Sequence, residues 1–191
     1  MGNPSPLSIW QGKNVRLRAM EPADWEPYFD WNSDDEMARR AYFIPFPQSQ
    51  EAMKRFAERE STQTPEDDNF RFVVENNQGE VVGDVTVNHC DPRAGTLKWG
   101  VATKLEHRCK GYASESLTLV MRYYFQELRY QKITIDIYGF NEESVKLHEK
   151  LGFQLEGRIR RTVYTKGQYF DELMYGITKE EFLEKYGDLT F

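Results

Sequence analysis

The chain is poor in cysteine. It has two, Cys90 and Cys109, among 191 residues. They are not spaced as a CxxC pair or a zinc site, which argues against a disulfide framework and fits a reducing compartment. No apolar run approaches the roughly 18 residues a membrane-spanning helix needs. The first ten residues lack the charged and apolar regions of a secretory signal, so a cytoplasmic location is expected. Basic excess is also missing. Lys and Arg number 25 against 31 Asp and Glu, a net charge of −6. Binding to phosphate backbones runs on Lys/Arg clusters, so nucleic acid is not expected as the main partner. The acidic balance suits a cationic substrate, and it is equally ordinary for a cytosolic protein. There is no internal repeat and no low-complexity segment.

What is present is a foldable core. Hydrophobic residues make up 39% of the chain and aromatics 14%, enough for one domain at this length. Residues 14–19 alternate, Val15 and Leu17 on one face and Arg16 and Arg18 on the other, as in a half-buried strand. Pro22 suits the first turn of a helix carrying Trp25, Tyr28 and Phe29. Residues 33–48 read as irregular, with acids at 34–36 and an aromatic cluster, Tyr42-Phe43-Ile44-Pro45-Phe46-Pro47. That cluster is either a substrate lip or a loop packed on the core. Ser49 can cap a helix to about residue 60, with Met53, Phe56 and Ala57 on one side.

Residues 70–75, 81–87 and 96–102 read as three strands of a meander, the first turn being Asn76-Asn77-Gln78-Gly79. Ala113, Leu117, Val120, Met121, Tyr124 and Leu128 mark one buried face of a helix over 113–128. Ile133, Ile135 and Ile137 alternate in another strand over 132–138. Strand, helix, strand is a crossover, so these two strands should be parallel. Asn141 can cap a helix ended by Gly152. Residues 158–164 and 168–177 flank Lys166-Gly167 as a closing hairpin. Thr178 and Glu181 form a capping-box pattern for a tail helix.

Between the third strand and the long helix lies His107-Arg108-Cys109-Lys110-Gly111-Tyr112-Ala113-Ser114. Helix N-termini bind phosphates through free backbone N–H groups. Gly111 permits close approach of the backbone, and Arg108 and Lys110 add charge. The loop lacks the Walker pattern and GxGxxG. On residues alone it is either an anion site or an ordinary strand-to-helix turn.

Arg108-x-x-Gly111-x-Ala113 resembles the (Gln/Arg)-x-x-Gly-x-(Gly/Ala) signature of the GCN5-related N-acetyltransferases. Three further stretches resemble that family in order: Trp99-Gly100-Val101, Asn141-x-x-Ser144, and Leu147-His148-Glu149-Lys150-Leu151-Gly152-Phe153 against the family's LYEKLGF. The subgroup resembled most is that of ribosomal-protein and spermidine acetyltransferases, with residues 166–171 as support. The resemblance implies an α/β (α+β), single-domain acyl-CoA N-acyltransferase fold. Its mixed, mostly antiparallel sheet would have about seven strands flanked by helices. An N-terminal extension would cover 1–12, the acetyltransferase domain 13–178 and a helical tail 179–191.

The resemblance also implies a cosubstrate, acetyl-CoA, and no metal. Val101, Thr103, Arg108, Cys109, Lys110, Gly111, Tyr112, Ala113, Ser114, Asn141 and Ser144 would contact the coenzyme. The acceptor would be an amine, either a protein N-terminus or a small amine, with a lean toward polyamines. A homodimer is left open. An alkyl ammonium has a pKa near 10.4, so the amine must lose a proton before it attacks. The oxyanion needs N–H donors, for which the Val101 backbone stands at the right strand. Many relatives carry Tyr at the position of His148 as the acid toward the thiol. His148 is either that acid or a core histidine bonded to a carbonyl. Asp84 is either a proton acceptor facing the amine or a residue on the solvent face of its strand. Glu75 and Glu156 are weaker candidates. Asn141 can cap its helix and still offer its amide N–H₂, and Lys150 reaches either a phosphate or solvent. Cys109 reads as a spectator. With no evident base, the alternative is an acetyl-CoA sensor that does not turn over.

Overall fold

Alternation builds the first strands of the computed structural model, which describes residues 8–41, 43–65 and 67–187. The ends of the expected extension and tail, 1–7 and 188–191, and Tyr42 of the aromatic cluster lie outside the described residues. In β1 (Val15–Arg18), Val15 and Leu17 are buried. β2 (Phe70–Asn76), β3 (Val81–Asp91) and β4 (Thr96–Thr103) follow as an antiparallel meander. The first turn is held by Asn76, whose Oδ1 accepts from the N–H groups of Gln78 and Glu80 at 2.9 and 3.0 Å. β5 (Lys132–Tyr138) lies parallel to β4, as the crossover requires. β7 (Gln168–Thr178) pairs antiparallel with β5, and β6 (Gln154–Thr165) forms the edge beside it. The sheet order is β1-β2-β3-β4-β5-β7-β6. It is the seven-stranded, mixed, mostly antiparallel sheet the sequence implied.

On one face lie α1 (Trp25–Trp31), α2 (Asp35–Ala41) and α3 (Gln50–Thr62). They bury Met20, Tyr28, Trp31, Met37, Met53 and Ala57 against Val73. Ser49 caps α3 as expected, accepting from Ala52 N–H at 3.1 Å. α2 corrects the irregular stretch read over 33–48. Asp34 Oδ1 accepts from the N–H groups of Glu36 and Met37, both at 3.0 Å. The acidic run is therefore a helix cap and first turn, with Arg39 and Arg40 in the last turn, the charge order a helix dipole favours. After α2, Phe43, Ile44 and Phe46 are exposed.

The other face carries α4 (Tyr112–Arg122), α5 (Glu142–Leu151) and α6 (Lys179–Tyr186). Leu117, Val120 and Met121 of α4 are fully buried. The predicted helix over 113–128 continues past Arg122 as a π turn (Tyr123–Glu127). Asn141 caps α5, Gly152 ends it at φ +103, and Thr178 and Glu181 complete a capping box on α6.

One departure from regularity positions the site. β4 and β5 pair only at Thr96↔Lys132, Leu97↔Ile133 and Lys98↔Thr134. The pairing of β4 with β3 runs on to Gly83↔Thr103. Beyond Lys98 the sheet therefore splits into a wedge between β4 and β5.

Candidate active site

Strand geometry decides what faces the wedge. Lys104 N–H donates to Val82 O at 2.9 Å. Hydrogen-bonded pairs alternate along an antiparallel ladder. With the register Asp84↔Ala102 and Val85↔Val101, even-numbered residues of β4 bond to β3. The N–H and C=O groups of Val101 and Thr103 then point into the wedge, where β5 has departed. Arg108 Nε closes part of it by donating to Thr103 O at 3.3 Å.

At the mouth of the wedge stands the loop before α4. Cys109 and Gly111 both have positive φ, +59 and +86. No side chain caps α4, so its first N–H groups stay open to an anion. The acid of its first turn, Glu115, is turned away onto Asn14, whose backbone N–H and Nδ2 each reach it at 2.9 Å.

A cleft of about 380 Å³ joins these parts. It is lined by Val101, Thr103, Arg108, Cys109, Gly111, Tyr112, Ala113, Ser114, Asn141 and Ser144, among others. Lys110 belongs to the same loop but is exposed and not part of the lining. Lys150 does line the cleft. The sequence missed Met37, Arg40 and Ala41, which α2 brings to its rim, and Glu143 of α5. Glu143 reaches Arg40 at 2.6 Å and Arg108 at 3.5 Å. Asn141 Nδ2 donates to Arg40 O at 3.3 Å. Only the charge order of the helix at 35–41 hinted at this wall.

Behind β4 lies a second cavity, of about 560 Å³. Its floor is one face of β2–β4: Arg71, Asp84, Thr86, Gly100 and Ala102. Its walls include Tyr28, Trp31, Met37, Met53 and Phe56. The two cavities share Met37, Ala41, Val101 and Ala102. They meet at the strand whose amides face the wedge.

Asp84 is buried on that floor, which corrects the solvent-face option. Arg71 Nη1 donates to its Oδ2 at 2.5 Å and Tyr28 Oη at 3.3 Å. Burial pushes the Asp84 carboxyl up from its ordinary value, against the opposing pull of Arg71 and Tyr28. Burial pushes Tyr28 up as well, so its hydroxyl stays protonated and donates. Arg71 also reaches Glu60, at 3.3 Å.

His148 is corrected as the candidate acid. It is fully buried and does not line the cleft. Its Nδ1 lies 2.8 Å from Ser144 O, and Trp99 Nε1 donates to its Nε2 at 3.2 Å. Both nitrogens are occupied, one as donor and one as acceptor, so the ring is neutral. Burial holds its pKa down at about 4. Glu75 and Glu156 are also away from the site, paired with Arg18 at 2.7 Å and Lys132 at 2.5 Å.

This arrangement is a split between β4 and β5 with a second pocket behind it, and comparison with known proteins gives its family. The acetyltransferase (GNAT) domain pattern matches residues 14–154. The SPbeta prophage-derived uncharacterized N-acetyltransferase YokL of Bacillus subtilis (strain 168) is 38% identical over 181 residues, 95% of this chain and 99% of that protein. The spermidine N(1)-acetyltransferase of Escherichia coli (strain K12) is 25% identical over 175 residues, 91% of this chain and 90% of its own. In structure, spermidine N-acetyltransferase from Vibrio cholerae in complex with CoA and spermine superposes with a TM-score of 0.79 at 23% identity, over 90% of this chain and 99% of that one. The chain belongs to the GNAT acetyltransferase family. It is an N-acetyltransferase by family and by fold.

Proposed function

We propose that the protein transfers the acetyl group of acetyl-CoA to a primary amine by direct attack, with both substrates bound together. The observation that carries this reading is the meeting of two cavities at Val101–Ala102 with Asp84 on the far side. The coenzyme's phosphates would take the open N–H groups of α4 and Arg108. Its pantetheine would run along Thr103 and Val101 in the wedge. The Val101 N–H would bond the thioester oxygen as it becomes an oxyanion. The amine would enter from the second cavity, and holding both reactants supplies much of the acceleration.

Asp84 would accept the proton the ammonium must lose, directly or through water. A carboxyl raised by burial is a better base than an ordinary one. Ser144 lines the cleft, and its hydroxyl would donate to the departing thiolate. The sensor alternative rested on the lack of a visible base, and on this reading Asp84 would be that base. We place the protein in the cytoplasm on the sequence features alone.

In the test, Asp84→Asn should lower kcat by about 100-fold or more while the dissociation constant for coenzyme A stays within about threefold, because Asp84 does not line the coenzyme cleft. Unchanged kcat would remove Asp84 from the chemistry. Tight coenzyme binding with no thiol release for any amine would restore the sensor.

A further inference from the structure

A polyamine would bring two or more ammonium groups into the second cavity, and each would need a carboxylate. Among the described residues lining it, Asp84 is the one carboxylate, and the other charged residues are Arg59 and Arg71. Asp84 is already joined to Arg71 at 2.5 Å. Most of the remaining wall is aromatic and apolar, with Tyr28, Trp31, Met53 and Phe56, and Asn32 and Gln48 add two neutral amides. Both arginines lie over the Phe56 ring, each 5.6 Å from its centroid. The cavity thus presents one negative and one positive group side by side on its floor, next to an apolar wall.

A carboxylate beside a guanidinium is the mirror of an ammonium beside a carboxylate. Arg71 uses Nε toward Glu60 and Nη1 toward Asp84, and its second terminal nitrogen is left to bond a carboxylate oxygen. Resting on the acyl-transfer reading above, we propose that the acceptor is a zwitterionic apolar α-amino acid. Its amine addresses Asp84, its carboxylate addresses Arg71, and its side chain enters the wall of Tyr28, Trp31, Met53 and Phe56. The amine loses a proton to Asp84, a C–N bond forms to the acetyl carbon, and the C–S bond breaks to release coenzyme A as thiol. Net, one ammonium and one thioester give an amide, a thiol and a proton.

The experiment measures thiol release from acetyl-CoA with phenylalanine, with phenethylamine, which lacks the carboxylate, and with spermidine. Phenylalanine should exceed both others in kcat/KM by at least about tenfold, because a site built to bond a polar group rejects the analogue lacking it. In Arg71→Lys, which keeps the charge beside Asp84 and loses the planar fork, the phenylalanine-to-phenethylamine ratio should fall toward unity. Should that variant fail to fold, Arg59→Glu, whose side chain is largely exposed, should lower the same ratio at least about fivefold by repelling the carboxylate. Preference for spermidine or phenethylamine, or a ratio unmoved by the foldable variant, would overturn the zwitterion and leave acyl transfer standing. No release with any of the three would overturn the zwitterionic acceptor, and the acyl-transfer reading falls with it only if a peptide N-terminus and a wider amine panel also give no release while coenzyme A still binds.

Discussion

His148 stands where the family motif has tyrosine, and the structure turns it into the core beneath Ser144. Its effect should therefore appear in stability and not in turnover. The folded protein holds the ring neutral down to about pH 4, whereas an unfolded His titrates near 6.5. The folded state thus binds fewer protons below 6.5. The contribution is complete above pH 6.5 and is lost as pH falls toward 4, up to about 3 kcal/mol at 1.36 kcal/mol per unit. His148→Gln should flatten that part of the pH dependence in denaturant melts between pH 7 and 4.5. At pH 7.5 its kcat should stay within about threefold of wild type. A folded variant with kcat down about 100-fold would return the acid role to His148. The burial was partly legible: Val145, His148 and Leu151 fall at helical spacing on one apolar face, and a motif match pulled the other way. Asp84 is the opposite case. The alternation Val82, Asp84, Thr86 reads as a solvent face; in the structure Val82 packs with the α4-side core, while Asp84 and Thr86 line the second cavity. What the strand cannot say is that α1–α3, from residues distant in sequence, cover that face and make it a binding floor.

Among the elements, β4 does the separating work, and two glycines, Gly100 within it and Gly111 in the loop before α4, let each side be tested alone. Gly100 lies on the floor of the second cavity, and a Cβ added there would meet nothing within 4 Å. Gly100→Val fits a strand and fills the cavity, so acceptor KM should rise about tenfold or more with coenzyme KM unchanged. Gly111 sits in the loop before α4 at φ +86. Gly111→Val forces a branched residue into that region at a cost of about 1 kcal/mol or more. Coenzyme KM should rise and acceptor KM hold. Steady-state kinetics with both substrates varied checks the crossed pattern, and the reverse assignment would exchange the two cavities. The strands, the loop and the caps of α3, α5 and α6 were readable, because each rests on local periodicity or on one capping residue. α2 was not. Its acids look like a solvated run until Asp34 is seen to accept from the N–H groups of Glu36 and Met37, and its Arg40 finds Glu143 only in three dimensions.

For the molecule as a whole, the wedge is a weakness that the coenzyme should repair. The β1–β4 half and the β5–β7 half share three residue pairs of ladder, and beyond them the cleft separates β4 from α5. A ligand bonded to Val101 and Thr103 on one side and to α5 on the other binds only the closed, folded arrangement. At about 100 times its dissociation constant such a ligand adds about 2.7 kcal/mol. At this chain length that raises the thermal midpoint by about 5–10 °C. Coenzyme A should produce this shift. Pantetheine, which lacks the phosphates, should need far higher concentration, since it forgoes the N-terminus of α4 and Arg108. The coenzyme A shift should also shrink between low and high salt, because Arg108 is partly exposed and its attraction to phosphate is screened. Equal shifts from pantetheine and coenzyme A, or a salt-independent one, would place the binding energy in the apolar walls and leave the loop at Gly111 an ordinary turn.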